Sequence, residues 1–246
     1  MTADTSSYLL NGFFPTPQQE MFLRTMCEDV PPFEVAACGT NRSGTTMAGA
    51  AWLSAMALDL PITPLGSGQL NVRPARWSGD PLRCVVVGKD NHHLNDVIAS
   101  FLLRTRDDGK SFIPNGMIAE STTWENKRRG LPKKLHLTNG TTILFHSSQL
   151  PFPKGEDANF HACWIDCGLS SDAYYSECLM GVANQEGYLA WSVSGEAGNS
   201  QCLERLLERS QRSKMSRVIR FTRDRSIVGY HTSAAAHNLT GDGGAK

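Results

Sequence analysis

The sequence predicts an α/β fold built on a doubly wound, mostly parallel sheet. Short apolar runs typical of buried strands alternate with segments whose apolar residues recur at helical spacing. A glycine-rich turn separates the first of these strands from a long apolar helix, as in folds that bind phosphate at a helix N-terminus. Strands separated by helices favour parallel pairing, because the helix carries the chain back across the sheet.

The first helix and the first strand are predicted near the N-terminus. Thr16 or Pro17 opens an amphipathic helix from Gln18 to Cys27, because threonine caps helices and proline fits their first turn. Pro31-Pro32 then ends it. Glu34 to Ala37 (EVAA) is short and mostly apolar, which indicates a buried strand.

Two further helices flank the second strand. Met47 to Leu58 is rich in small and apolar residues, as in a helix packed on a sheet. Leu60 to Pro81 is rich in Gly, Pro and Ser and lacks periodicity, so we expect a long surface insertion. Arg83 to Gly88 (RCVVVG) is predicted to be a buried strand, and Asn91 to Arg104 repeats apolar residues at helical spacing.

The centre of the chain predicts a hairpin and two buried strands. Lys134 to Leu137 and Thr142 to His146 flank Asn139-Gly140, a pair typical of the tight turn between antiparallel strands. Phe160 to Asp166 (FHACWID) and Tyr188 to Ser194 (YLAWSVS) are apolar runs of strand length.

The last predicted elements are two helices and a strand. Ala173 to Val182 and the more polar Gln201 to Arg212 are expected to be helical, and Arg217 to Thr222 alternates as a final strand. We therefore predict one domain over residues 1–225, followed by a flexible tail over residues 226–246.

Composition and charge limit the function without choosing it. The 246 residues include 24 basic and 24 acidic side chains, so no global charge demands nucleic acid or a membrane as partner. Basic residues cluster at positions 127–134 and again from Arg205 to Arg225, although a solvated surface commonly explains such runs. The seven cysteines lack metal-ligand spacing, and no apolar run is long enough to span a bilayer.

The segment Cys38 to Thr46 (CGTNRSGTT) is a phosphate-binding loop pattern that lacks its lysine. It fits G-x-x-x-x-G-K-[ST] at each required position except Thr45, which stands where the pattern has Lys. The glycine turn and the helix N-terminus would direct backbone N–H groups at an anion, and Thr46 would place a hydroxyl on Mg²⁺. A glycine turn before a threonine-capped helix explains the same residues without a ligand.

Polar residues follow the later strands at the same predicted edge of the sheet. Asp166 comes after Cys163-Trp164-Ile165, where a carboxylate can hold the water shell of Mg²⁺ or, alternatively, make a turn or cap. Cys167 comes next, and its thiol, mostly neutral at pH 7, cannot replace a carboxylate. Ser194 ends its strand with a hydroxyl, and Gln18-Gln19 precedes the loop where an amide could read adenine.

Taken in order, these segments resemble the ATPase domain of the large terminase subunit of tailed bacteriophages. The matching segments are PTPQQEMFL, GTNRSGTTMAGA, RCVVVGKDNHHLNDVI, LHLTNGTTILFHSS, Gly155 before WID, and LAWSVSGEAG. Their order and spacing fit over nearly the whole chain. The resemblance implies a RecA-like P-loop NTPase of the ASCE type, a motor that hydrolyses ATP to pump viral DNA into a prohead.

The resemblance also implies roles for individual residues. Asp166 would hold Mg²⁺ together with Thr46, and Ser194 would belong to the motif that couples hydrolysis to movement. Arg42, the only cation inside the loop, would bend back onto the phosphates in place of the missing lysine. The nucleotide-binding set would be Gln19 near adenine and Gly39, Thr40, Asn41, Arg42, Ser43, Gly44, Thr45 and Thr46 around the phosphates.

The partners implied by the resemblance are ATP, Mg²⁺, double-stranded viral DNA, the portal protein of the prohead and the small terminase subunit. The expected location is the cytoplasm of an infected bacterial cell, transiently at the prohead portal, and no membrane partner is expected. We expect no nuclease domain of the kind usual in the family within these 246 residues. We therefore expect no nuclease activity from this chain and a separate nuclease chain as a further partner.

Two departures from the family pattern leave ATP hydrolysis open. The pattern carries Lys at the position of Thr45 and Glu at the position of Cys167, and each replacement would lower the rate at least ~10²-fold. The first hypothesis is an ATPase component of a packaging motor. The alternative is a catalytically impaired nucleotide- or DNA-binding assembly protein of the same fold. An unrelated α/β protein with a glycine turn is the third.

Overall fold

Eight strands form one sheet in the part of the chain that the structure, a computed structural model, describes. The described residues are 10, 13, 15–28, 31–40, 43–63, 68–104, 110–128, 130–169, 171–194 and 201–221. The strands are β1 (Glu34–Gly39), β2 (Arg83–Gly88), β3 (Thr123–Asn126), β4 (Leu131–His136), β5 (Thr142–Ser147), β6 (Ala162–Ile165), β7 (Tyr188–Ser194) and β8 (Ser216–Phe221). Their order is β3-β4-β5-β2-β6-β7-β1-β8; the two pairs made by β4 are antiparallel and the other five are parallel.

Most of the parallel strands are connected through helices. These are α1 (Pro17–Thr25), α2 (Thr45–Leu58), α3 (Asn91–His93), α4 (Ser100–Leu103), α5 (Asp172–Ala183) and α6 (Gln201–Arg212), with a π-helix (Leu94–Ala99) between α3 and α4. Short 3₁₀ turns occupy Ala75–Trp77, Asn115–Met117 and Gly155–Ala158. The helix predicted over residues 91–104 is thus present, but its centre has the wider π-helical turn that apolar spacing does not reveal.

The sheet is covered on both faces, as the predicted doubly wound fold requires. Strand β6 illustrates this arrangement, because its side chains point alternately into the core on each face of the sheet. Ala162 and Trp164 pack with residues of α1, α2 and the π-helix, whereas Cys163 and Ile165 pack with residues of α5 and α6. All four are fully buried. The mostly parallel α/β fold predicted from the sequence is therefore confirmed.

The predicted start of the first helix is confirmed in atomic detail. The Thr16 hydroxyl accepts the backbone N–H of Gln19 at 3.3 Å, and the Gln19 side-chain oxygen accepts the backbone N–H of Thr16 at 2.8 Å. This reciprocal pair is a capping box, and Pro17 occupies the first helical position. The box holds the Gln19 amide in one place, next to the glycine-rich loop.

The prediction of a surface insertion over residues 60–81 was wrong. Ile62 pairs with Leu70 through the backbone, and Ile62, Val72 and Trp77 are buried in the core that also holds α2. Aperiodic segments can still contribute to a core when single apolar side chains point inward. Strand β3 was not predicted, because Thr123–Asn126 is polar and mostly exposed at the edge of the sheet.

Among the described helices, none is both long enough and apolar enough to cross a membrane. The predicted flexible tail, residues 226–246, lies outside the described residues. The predicted hairpin around Asn139-Gly140 is present as β4 and β5, with Leu135 opposite Ile143.

Candidate functional site

The glycine-rich loop and the acidic residue reach the same edge of the sheet. Strand β1 ends at Gly39 and β6 ends at Ile165, with β7 between them. Ligands of open α/β sheets bind at this carboxyl edge. In the register of β7, Ala37 lies opposite Ser192 on one side and Ile165 lies opposite Trp191 on the other. The residue after Ile165, Asp166, therefore lies beside Ser192.

Two glycines give the loop its shape. A Cβ on Gly39 would lie 2.7 Å from the Phe221 Cβ, so the close approach of β1 to β8 requires glycine. Gly44 has a φ of 89° and is the N-cap of α2. Within the loop the backbone N–H of Ser43 donates to the Thr40 carbonyl at 3.1 Å. Asn41 and Arg42, two of the predicted phosphate-binding residues, lie outside the described residues.

Gln19 supports this loop from beneath. Its side-chain Nε2 donates to the Gly44 carbonyl at 2.9 Å, and the residue is only 3% exposed. A side chain at position 44 would meet that amide, since a Cβ there would lie 2.5 Å from Gln19 Nε2. The contact that the structure shows for Gln19 is therefore with the loop, and its role next to adenine stays a prediction.

Four side chains meet at the end of β6, around the carboxylate of Asp166. The Thr46 hydroxyl donates to Asp166 Oδ2 at 3.3 Å, and His93 Nε2 lies 3.0 Å from the same oxygen. The Ser192 hydroxyl donates to the other carboxylate oxygen, Oδ1. Asp166 is 4% exposed, so its carboxylate is buried and held on both oxygens.

The residues at this edge fit a magnesium ion. A threonine hydroxyl and a carboxylate are oxygen ligands of the kind that Mg²⁺ prefers, and Mg²⁺ keeps several waters, so two protein groups suffice when a phosphate supplies more. The described residues contain no group of three or more His, Cys, Asp or Glu side chains arranged to hold a metal. Thr46 and Asp166 are brought together as predicted.

The residues also fit a phosphate group. The first N–H groups of a helix have no partner inside the helix, and α2 begins after Gly44, which offers no side-chain cap. The Ser43 hydroxyl is buried in this loop without a hydrogen-bond partner among the described residues. Thr45, where the pattern has Lys, is 2% exposed. The loop thus offers donors to an anion but no ammonium group.

Cys167 follows β6 and packs on the opposite face of the sheet from α2. It is buried in the core formed with α5 and α6, near Ile165 and Trp191. Burial raises the pKa of its thiol to about 12. The thiol is therefore neutral at physiological pH, and it gives the site no substitute for the carboxylate that the family pattern has at this position.

Two residues of the site were missed by sequence reasoning. The sequence pointed to Ser194 rather than Ser192; Ser194 pairs with Gly39 at the end of β7, and its side chain is outside the described part of the structure. A hydroxyl inside an otherwise apolar strand was the available signal for Ser192, because a buried hydroxyl requires a partner. His93 gave a weaker signal, as one of two adjacent histidines at a helix start.

No protein-family model matches the chain, and no curated protein matches it. Among solved structures, the chain is similar to the large terminase from a thermophilic bacteriophage, with a TM-score of 0.51 and 11% sequence identity. The alignment covers 84% of this chain and 45% of that chain, so the match spans less than half of the terminase's length. At this identity the likeness shows the fold alone, a RecA-like α/β fold shared with a large terminase.

Proposed function

We propose that this chain is the nucleotide-binding motor domain of a large terminase subunit, with ATP and a divalent cation held at the loop Gly39 to Thr46. The observation that carries the proposal is the 3.3 Å contact between Thr46 Oγ1 and Asp166 Oδ2. These residues lie 120 positions apart in sequence, and they meet at the carboxyl edge where a P-loop protein holds its metal. The terminase-like fold supports the same assignment.

Each residue of the site has a task in this proposal. Backbone N–H groups of the loop and of the start of α2 would bind the phosphate oxygens. Thr46 and Asp166 would hold the cation, which when bound would neutralise charge on the phosphates. Ser192 keeps the Asp166 carboxylate in its orientation, and Gln19 keeps the loop in place through Gly44. Arg42 is proposed as the cation that replaces the missing lysine.

Hydrolysis is expected to be slow. The chain has no lysine at Thr45 to stabilise charge on the transferred phosphoryl group, and the neutral Cys167 thiol cannot polarise water. Burial of Cys167 in an apolar core favours a second candidate function, a nucleotide-binding assembly protein that does not turn ATP over. In either case we propose viral DNA, the portal protein, the small terminase subunit and a separate nuclease chain as partners, in the cytoplasm of an infected cell.

Calorimetric titration of ATP with and without Mg²⁺ tests nucleotide binding. We expect weak, Mg²⁺-dependent binding that Thr46→Ala and Asp166→Asn each reduce by roughly tenfold or more, since each removes an interaction with a charged ligand. Thr123→Ala, at an exposed threonine on β3, is the matched control and should leave binding unchanged. Absence of binding, or tight binding that ignores Mg²⁺, would contradict the proposed site.

Steady-state turnover separates the two candidate functions. The native chain should hydrolyse ATP near background. Thr45→Lys, which returns the lysine of the family pattern, should raise the rate by at least ~10²-fold if the chain is a motor domain, whereas an assembly protein should stay near background. Arg42→Ala should lower ATP affinity if Arg42 replaces the lysine. A brisk native ATPase that Arg42→Ala leaves unchanged would rule out this assignment of the loop.

A further inference from the structure

His93 is placed against the metal side of the proposed nucleotide site by two independent constraints. The Asp90 side chain caps α3 by accepting the backbone N–H of His93 at 2.8 Å. Strand β2, which leads into α3, pairs with β6, and the backbone N–H of Asp166 donates to the Val87 carbonyl at 2.8 Å. The turn that carries His93 therefore lies directly beside Asp166.

Two further ligand-type atoms lie close to one oxygen of the Asp166 carboxylate. His93 Nε2 and Thr46 Oγ1 approach the same carboxylate oxygen, Asp166 Oδ2, at 3.0 and 3.3 Å. Ser192 occupies the other oxygen, so Oδ2 faces the histidine and the threonine. The His93 side chain is 24% exposed while that of Asp166 is 3% exposed, which gives the cluster an opening to solvent on the histidine side.

We propose that His93 is a direct ligand of the divalent cation at this site, together with Thr46 and Asp166, and that the site therefore prefers a first-row transition ion such as Mn²⁺ to Mg²⁺. An imidazole nitrogen suits transition ions, whereas Mg²⁺ favours oxygen-only sets. As a ligand, His93 would present the lone pair of Nε2 to the ion and would carry its ring proton on Nδ1. The inference rests on the proposed function for its nucleotide, but the protein ligands are defined without it.

His92 provides a matched comparison one residue away. Its side chain is 81% exposed and contacts Asp96, one turn further along, with Nδ1 3.0 Å from Oδ2. It has the same chemistry and nearly the same position in sequence but, among the interactions of the described residues, makes none with Asp166. Any effect specific to His93 can therefore be separated from a general loss of imidazole.

Pulsed electron paramagnetic resonance of bound Mn²⁺ tests the ligand directly. The probes are Mn²⁺ alone and Mn²⁺ with a non-hydrolysable ATP analogue. We expect a ¹⁴N coupling from imidazole in the native chain and in His92→Ala, and its disappearance in His93→Ala. The affinity ratio of Mn²⁺ to Mg²⁺ should fall by roughly tenfold or more in His93→Ala. Replacing a residue that only hydrogen-bonds to a metal ligand already lowers metal affinity by about tenfold or more, so loss of a direct ligand should cost at least as much.

The outcomes distinguish this inference from the proposed function. Mg²⁺-dependent binding of the ATP analogue without ¹⁴N coupling in bound Mn²⁺ would overturn the histidine ligand and leave the nucleotide site standing. Coupling from Mn²⁺ alone that disappears in His93→Ala would support the ligand even if no nucleotide bound. Coupling that persists in His93→Ala, or no bound Mn²⁺ under either condition, would overturn it. His93→Gln, which keeps a polar side chain beside Asp166, serves if the alanine variant does not fold by circular dichroism.

Discussion

The indole nitrogen of Trp164 donates to the Ser192 hydroxyl at 2.7 Å. That hydroxyl in turn donates a hydrogen bond to Asp166 Oδ1. All three groups are buried, so each depends on the next for its hydrogen bond. The carboxylate of the candidate site is thus oriented by a chain of hydrogen bonds that begins in the core between the sheet and α2.

Replacing Ser192 with alanine should both destabilise the fold and weaken nucleotide binding. The change leaves the Trp164 N–H and one Asp166 oxygen buried without their partner, which should lower the free energy of unfolding by about 1–3 kcal/mol. Urea denaturation measures this decrease, and calorimetry with Mg²⁺ and ATP measures the binding. Ser176→Ala, at an exposed serine of α5, is the control and should change stability by less than about 0.5 kcal/mol. Equal effects of the two variants would mean that Ser192 does not hold the carboxylate.

Gly49 of α2 should not tolerate alanine. In an exposed helix this change stabilises by up to about 1 kcal/mol, but a Cβ at position 49 would overlap the rigid indole of Trp164. Overpacking of this kind typically costs about 1–3 kcal/mol, so we expect net destabilisation and weaker binding of Mg²⁺ with ATP. Gly116→Ala, where a Cβ meets nothing within 4 Å, is the control. A more stable Gly49→Ala variant would show that the indole moves aside freely.

The sequence predicted the elements that follow local rules. The capping box at Thr16, the hairpin around Asn139-Gly140 and the apolar strands β1, β2, β6 and β7 all depend on neighbouring residues, and the structure contains them. Asp166 and Thr46 could be placed together because a strand and a glycine-rich loop end at the same edge of a parallel sheet.

What escaped prediction depends on contacts between distant segments. Glu34 was predicted only as part of an apolar strand, yet it is 3% exposed and accepts hydrogen bonds from Tyr175 and Ser216. Arg209, which belongs to a basic run in the sequence, pairs with the same carboxylate at 3.2 Å. Tyr175 and Arg209 lie 141 and 175 positions from Glu34, so no local pattern connects them.

Cys84 should make stability fall at high pH. Burial raises the pKa of its thiol from 9.0 to about 12, so between these values the folded state keeps a proton that the unfolded chain has released. Its contribution is therefore fully present below pH 9 and disappears as the pH rises towards 12. Denaturation at about pH 8 and about pH 10.5 should show that the deficit of Cys84→Ala relative to the native chain shrinks by about 1–2 kcal/mol. Val86→Ala on the same strand cannot ionise, and its deficit should stay constant. A constant deficit for Cys84→Ala as well would contradict the shift.

The basic segments lie at opposite ends of the sheet, so they would contact DNA at two separate places. Lys127 and Arg128 are exposed beside β3 and β4, whereas Arg212 and Arg217 are exposed near β8 at the other end. About seven strand spacings of about 4.8 Å separate these ends by roughly 34 Å, too far for one compact patch. Arg205 contributes less than its charge suggests, because it pairs with Asp172.

We therefore expect the two ends to make separate electrostatic contacts with the same double-stranded DNA. Lys127→Ala with Arg128→Ala, and Arg212→Ala with Arg217→Ala, should each lower affinity and reduce the slope of log K against log salt by up to about 0.9 for each phosphate that is no longer neutralised. Their decreases in log K should add in the fourfold variant, because the two sites are too far apart to interact directly. Fluorescence anisotropy at several salt concentrations measures both quantities, and Lys154→Ala, an exposed lysine outside both segments, is the charge-matched control. Binding that ignores salt, or a fourfold variant that binds as tightly as the control, would show that DNA contacts this chain elsewhere.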